Sequence, residues 1–164
     1  MTPAETRAEI ERLHAAGFAW AMACCGRNRE RAEDVLQTSY LKILDGSARF
    51  AERSSFKTFL FGVIRRTASE ERRRGALTRL LLGRNGSGPD AAAVETVSVD
   101  RLALRSALDR VSPRQREVLQ LVFSMGLTVQ EAADTLSISP GAAARHYHRG
   151  KARLAELLAE RNVR

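Results

Sequence analysis

The feature that most constrains this chain lies near its end, where two capped helix starts stand one short turn apart. Thr128 is followed three residues later by Glu131, the pattern in which a hydroxyl satisfies one orphan helix N–H and a carboxylate reaches back to another. A short helix is therefore predicted to start there, with Val129, Ala132, Ala133 and Leu136 on one face. Ser139-Pro140 then offers an N-cap and a first-turn proline for a second helix. In that helix Ala143, Tyr147, Gly150 and Leu154 recur at spacings of four, three and four, a single inward stripe. Arg145, His148, Arg149 and Arg153 are left outside. Two helices across so tight a turn read as a helix-turn-helix, and an apolar back with a basic front suits a helix for the major groove. Arginines on an amphipathic helix also serve as a plain solvated face, so the rest of the sequence has to decide.

Just upstream, Ser112-Pro113-Arg114-Gln115 is a second such start, serine with glutamine three residues on. It leads through Val118, Leu119, Leu121, Val122 and Phe123 to a stop near Gly126, which gives the motif a helix to pack on. The whole chain of 164 residues has room for one medium domain or two small ones. Its net charge of +8 calls for a polyanionic partner, nucleic acid or an anionic membrane surface. Lys42, Lys57 and Lys151 are the only lysines, so 24 of the 27 basic residues are arginines, suited to forked phosphate or base contacts but equally a product of base composition. With aromatics at 5% and few β-branched runs, an all-helical fold is expected.

Several function classes fall away. The first residues mix Glu5, Arg7, Glu9, Glu11 and Arg12 instead of placing a basic start before an apolar block, so no targeting signal is read and a cytoplasmic location is expected. The longest apolar run, Phe18 to Cys25, is eight residues, against the roughly 20 that span a bilayer. Cys24 and Cys25 are adjacent and lack the further thiol or imidazole ligands of a zinc site, so packing is the expectation for them, and no metal or cofactor is expected. No nucleophile-base pair, carboxylate pair or phosphate-cradling glycine loop stands out, which argues against an enzyme.

Helices follow one another from the start. Thr2-Pro3-Ala4-Glu5 is a capping box, followed by Ile10, Leu13, Gly17, Trp20 and Cys24 at helical spacing. A second helix from near Glu30 to Gly46 turns Ala32, Val35, Leu36, Ser39, Tyr40, Ile43 and Leu44 inward, and Glu33, Asp34, Gln37, Thr38 and Lys42 outward. A polar loop through Ser55 precedes a third, with Phe56, Phe59, Leu60, Val63 and Ile64 as its stripe and an arginine-rich end over 65–74. The glycines, proline and alanine run of 75–100 read as a flexible linker. Basic and acidic residues number 14 and 10 in 1–74, 2 and 3 in 75–100, and 11 and 6 in 101–164, for net charges of +4, −1 and +5. Two basic helical domains, 1–74 and 101–164, are thus expected on either side of a connector that is not basic.

The run Ser112 to Leu119, then Gly126-Leu-Thr-Val-Gln-Glu-Ala-Ala133, then Leu136-Ser-Ile-Ser139 and a basic helix resembles the C-terminal promoter-reading domain of bacterial sigma factors. Ala32 to Leu44 followed by Phe56 to Arg66 resembles their N-terminal domain. Together the two blocks are similar, over nearly the whole chain, to the compact extracytoplasmic-function group of the sigma-70 family. The resemblance implies core RNA polymerase and promoter DNA as partners, with room for an anti-sigma factor. It implies that Asp34, Gln37, Thr38 and Lys42 face the polymerase clamp. Arg53, Ser54, Ser55, Lys57, Arg65, Arg66, Glu70 and Arg73 would lie along the melted minus-ten strand. Arg114, Thr128, Arg145, His148 and Arg149 would meet the minus-thirty-five duplex, and the connector would thread toward the active centre.

The chain departs from the family pattern in places. Along the third helix it has Phe59, Arg66 and Glu70 where tryptophan, asparagine and aspartate are usual, and Ala142, Ala143 and Ala144 replace the polar residues expected early in the recognition helix. Promoter sequence is therefore not carried over. A sigma-like decoy that binds an anti-sigma protein is one alternative; a dimeric helix-turn-helix repressor independent of polymerase is another, though it has no need of the block at 32–44.

Overall fold

The computed structural model describes residues 1–82 and 99–162. All regular elements among them are helical, and they gather into two compact units, α1 to α3 and α4 to α7. In the first, α1 (Pro3–Cys24) opens with the predicted box: the Glu5 amide donates to Thr2 Oγ1 at 3.2 Å and the Thr2 amide to Glu5 Oε2 at 2.7 Å. α2 (Arg29–Leu44) is capped by Asn28, whose Oδ1 accepts from the Arg31 amide, and α3 (Phe56–Leu81) by Ser55, whose hydroxyl accepts from the Thr58 amide. The core joins Ile10, Leu13 and Trp20 of α1 to Val35 and Leu36 of α2 and to Leu60, Phe61 and Ile64 of α3. Trp20 stacks on Phe61 at 6.1 Å between ring centroids and donates from Nε1 to the Phe61 carbonyl, so the largest buried side chain leaves no polar atom unpaired.

Two boundaries differ from the sequence reading. Leu44, expected inward, is 47% exposed. A step of four residues advances about 40° beyond a full turn, so the row Leu36, Tyr40, Leu44 winds from buried through half-buried to exposed. α3 also continues past Arg74 to Leu81, into the stretch read as linker, because Ala76, Leu77, Leu80 and Leu81 are good helix formers and a single glycine at 75 does not stop them. Of the flexible connector expected over 75–100, residues 83–98 lie outside the described residues.

The second unit begins with a helix the sequence reading had not singled out, α4 (Val99–Asp109), packed on α7. α5 (Pro113–Leu119) passes without a break into one π-helical turn, Gln120–Ser124, closed by Gly126 at φ +70°. The capping box expected at Ser112 does not form. Ser112 stands at the N-cap with no side-chain bond, and the turn is held by Arg116, whose guanidinium donates to the carbonyls of Asp109 and Val111. α6 (Val129–Leu136) starts with the predicted Thr128–Glu131 box. Ser137 then takes the left-handed conformation, φ 53°, turning the chain into α7 (Pro140–Asn162), where Ser139 Oγ accepts from the Ala142 amide. Val118, Leu119, Leu121, Leu127, Ala132, Ala133, Leu136 and Ala143 form the core of this three-helix arrangement.

Candidate nucleic-acid and protein-binding faces

On α7 the inward stripe is as the spacing requires: Ala143 and Gly150 are buried, Tyr147 and Leu154 half-buried. Gly150 permits this packing, because a Cβ there would lie 3.1 Å from Gln115 Cβ and Leu119 Cδ1 of α5. The helix therefore seats with its other side outward, and Arg145, His148, Arg149 and Arg153 are all exposed. The Arg145 guanidinium lies back along the first turn, with Nη1 3.7 Å from where a Cβ on Gly141 would sit. Arg153 is paired with Glu156 at 3.0 Å. Beside this face Phe123, at the end of the π-helical turn, stacks on Tyr147 at 5.8 Å and remains 59% exposed. Thr128 is exposed but its hydroxyl already serves the cap of α6, and half-buried Arg114 is paired with Glu117 at 2.9 Å.

The first unit carries two faces. Along α3, Arg66, Glu70 and Arg73 follow one another at spacings of four and three, hence on one side of the helix. Lys57 is not with them: nine residues before Arg66 it lies about half a turn away, with its ammonium 5.7 Å from the centre of the Phe61 ring. Arg65 is half-buried, Arg53 is exposed in the loop before α3, and Ser55 spends its hydroxyl on the cap. Phe59, where the family pattern has tryptophan, closes an aromatic cluster with Phe50 and Phe56 at 5.2–5.8 Å.

The α2 face presents exposed Asp34 and Gln37 with half-buried Thr38. Lys42, expected beside them, reaches the other way, and its Nζ donates to Glu70 Oε2 at 2.7 Å and to Thr67 Oγ1 at 3.2 Å on α3. The outer face instead carries Leu41, which is 65% exposed and lies four residues after Gln37 and seven after Asp34, on the same row. The sequence held that signal: Leu41 belongs to none of the inward positions of α2, so it is a large apolar side chain on a polar face. Next to Gln37 a cleft of about 270 Å³ opens between α1 and α2, lined by His14, Phe18, Glu33 and Tyr40 among others. At its base Tyr40 Oη lies 3.1 Å from His14 Nδ1, and burial pushes the phenol up to about 12.

Other candidate chemistry is thin. Cys24 is half-buried and Cys25 buried, neither in a disulfide, and burial pushes the Cys25 thiol up, away from the reactive thiolate. No cluster of three or more His, Cys, Asp or Glu side chains stands together among the described residues, and no helix there is long and apolar enough to cross a membrane.

The comparisons with known proteins agree with this geometry. Residues 10–78, essentially α1 to α3, match the family model described as Sigma-70 region 2, and residues 101–154, from α4 into α7, match Sigma-70, region 4. The chain is 30% identical over 136 residues to the RNA polymerase sigma factor CarQ of Myxococcus xanthus, covering 82% of this chain and 78% of that protein. It is 29% identical over 133 residues to the ECF RNA polymerase sigma factor SigX of Bacillus subtilis (strain 168), covering 76% and 69%. Among solved structures, the sigma factor RpoE of Bartonella quintana, crystallised with the anti-sigma factor NepR, superposes with a TM-score of 0.75 at 25% identity over 94% of this chain and 97% of that one.

Proposed function

Since the chain belongs to the extracytoplasmic-function group of the sigma-70 family, we propose that it binds core RNA polymerase and directs transcription initiation at specific promoters. The observation that carries this reading is the pairing of two family segments, in order, with two helical units that each expose a basic face. On that footing Asp34, Gln37 and Thr38, with Leu41 added as an apolar anchor, meet the polymerase clamp. Arg53, Arg66, Glu70 and Arg73 lie along the melted minus-ten strand, and Arg145, His148 and Arg149 meet the minus-thirty-five duplex. The protein works in the cytoplasm beside its polymerase and does no chemistry of its own. An anti-sigma factor is a further partner, in the manner of NepR with the Bartonella quintana relative.

Run-off transcription with core enzyme and a library of promoters tests the reading directly. Initiation at a defined subset of templates, dependent on added protein, is the expected result. One observation favours a second reading, a decoy that titrates an anti-sigma factor: Ala142 and Ala144 put methyl groups where a groove-reading helix would carry polar side chains early. A chain that binds core enzyme yet starts transcription on no template would favour the decoy, and one that does not bind core enzyme at all would favour a free repressor.

A further inference from the structure

Lys42 ties two surfaces that the family resemblance treats separately. It leaves α2 on the side of α3, and its ammonium is held by Glu70 Oε2 at 2.7 Å and by Thr67 Oγ1 at 3.2 Å. Thr67 is buried, so one end of this contact is fixed to the core, and the Lys42 side chain is itself only 29% exposed. Glu70 sits four residues after Arg66 and three before Arg73, in the middle of the basic row on α3. It is the one acid of that row. An unpaired carboxylate there would repel the phosphates that its neighbours attract.

We propose that Lys42 is a positioning residue for nucleic-acid binding: it neutralises Glu70 and holds the carboxylate against α2, so that the α3 row meets a single strand as a net basic surface set by Arg66 and Arg73. The inference rests on the reading that this face takes the melted minus-ten strand, and it moves Lys42 from the polymerase contact to the DNA side. The Lys42 hydrogen bond, with smaller contributions from the charges of Lys42, Arg74 and Arg73 that face the pair, holds the Glu70 carboxyl below the usual carboxylate range.

The test uses the full chain and a pool of random-sequence single-stranded 12-mers, read by fluorescence anisotropy over a salt series, with core-polymerase affinity measured in parallel. Lys42→Met keeps the stem and removes the charge. It is expected to weaken binding about two- to tenfold at low salt, as one uncompensated charge several ångström from a phosphate does, with the gap closing as salt screens it. Core affinity should not change. Lys42→Arg, and the double change Lys42→Met with Glu70→Gln, should return binding to within about twofold of the parent, since either restores charge balance. Trp20 emission reports that the first unit is folded at the assay temperature. Should Lys42→Met fail to fold, Glu70→Gln alone carries the test, because freeing the ammonium should hold or raise affinity. The proposal is overturned if folded Lys42→Met binds the pool like the parent, if Glu70→Gln fails to rescue it, or if core affinity falls with it. If Arg66→Ala with Arg73→Ala leaves binding unchanged, the minus-ten reading of this face fails first and takes the inference with it.

Discussion

Exchanging one glycine for alanine at two places in this chain should move stability in opposite directions. Alanine is favoured over glycine in a helix interior by about 0.8–1 kcal/mol. At Gly75, inside α3, an added Cβ meets nothing within 4 Å, so Gly75→Ala should keep up to that full gain. At Gly150 the same methyl would lie 3.1 Å from Gln115 Cβ and Leu119 Cδ1 and 3.3 Å from Leu119 Cγ. Gln115 Cβ is fixed to the α5 backbone and cannot swing aside, so α5 and α7 have to part. Overpacking of this kind costs about 1–3 kcal/mol, which outweighs the helical gain and leaves a net loss of about 1 kcal/mol. In a unit of this size that lowers the melting midpoint by about 4–8 °C. The assay is a thermal melt followed at once by far-ultraviolet circular dichroism, which sees both units, and by the emission of Trp20, the single tryptophan, which sees only the first. Gly150→Ala should lower the dichroism transition of the second unit and leave the Trp20 transition where it was. A raised midpoint would refute the close approach of α7 to α5. A Trp20 transition that moves in step would mean that the loss is not confined to the second unit.

Other expectations follow from single contacts. Because burial raises the Tyr40 phenol from 10 to about 12, its contribution to stability is complete below pH 10 and is lost as pH rises from 10 through 12; the difference in phenolate absorbance between the parent and Tyr40→Phe should titrate near 12, and ionisation near 10 with helicity intact would contradict it. Ser137 holds a left-handed backbone with a Cβ, so Ser137→Gly should stabilise the second unit by about 1 kcal/mol without altering DNA affinity; a lower midpoint in denaturant would count against that. Arg145 sits in the early turns of α7, which enter a groove deepest, and Arg149 one turn later toward the backbone. Arg145→Ala should therefore cost about 1–3 kcal/mol of discrimination at one base pair, and Arg149→Ala should weaken all sequences alike and flatten the salt slope by about one; equal losses on every single-base variant for Arg145→Ala would undo the assignment. Asp34→Ala with Gln37→Ala, and separately Leu41→Ala, should each weaken capture of core polymerase while leaving single-strand binding intact, and parental affinity in both would move the clamp face elsewhere.

Much of the fold was legible because a helix repeats. Ile10, Leu13, Gly17 and Trp20 in α1 and Ala143, Tyr147 and Gly150 in α7 could be assigned to a face from spacing alone, and the caps at Thr2 and Ser139 marked where each run had to begin. What escaped has physical reasons. α4 fully buries only Ala103 and Ala107 and half-buries Leu108, while Leu102 stays 53% exposed, and it begins inside the glycine- and alanine-containing stretch read as linker. The π-helical turn at Gln120–Ser124 shifts the register of burial within a run that reads as plain α-helix, which is why Phe123, seemingly part of an apolar stripe, ends up exposed against Tyr147. The missing cap at Ser112 shows that a serine and a glutamine at the right spacing are permissive only, and the turn before α5 is held instead at its carbonyls, where the Arg116 guanidinium donates to Asp109 and Val111.

The binding faces divide along a different line. Periodicity fixes where a Cβ points, and for short side chains that decides their surroundings, so the exposure of Asp34 and the burial of Ala143 were both readable. A lysine stem spans several ångström beyond its Cβ and can bend toward either neighbour. Lys42 shares its outer row with Thr38 in the sequence pattern, yet the acceptor that wins is Glu70, 28 positions along the chain, with Thr67 as a second. No single-helix reading could weigh that choice, because the two acceptors, Thr67 and Glu70, stand three residues apart on a different helix. A row of charges read from one helix is therefore an incomplete electrostatic surface until its packed neighbour is known: α3 alone offers two arginines and an acid, whereas α3 with α2 behind it offers two arginines and a neutral pair.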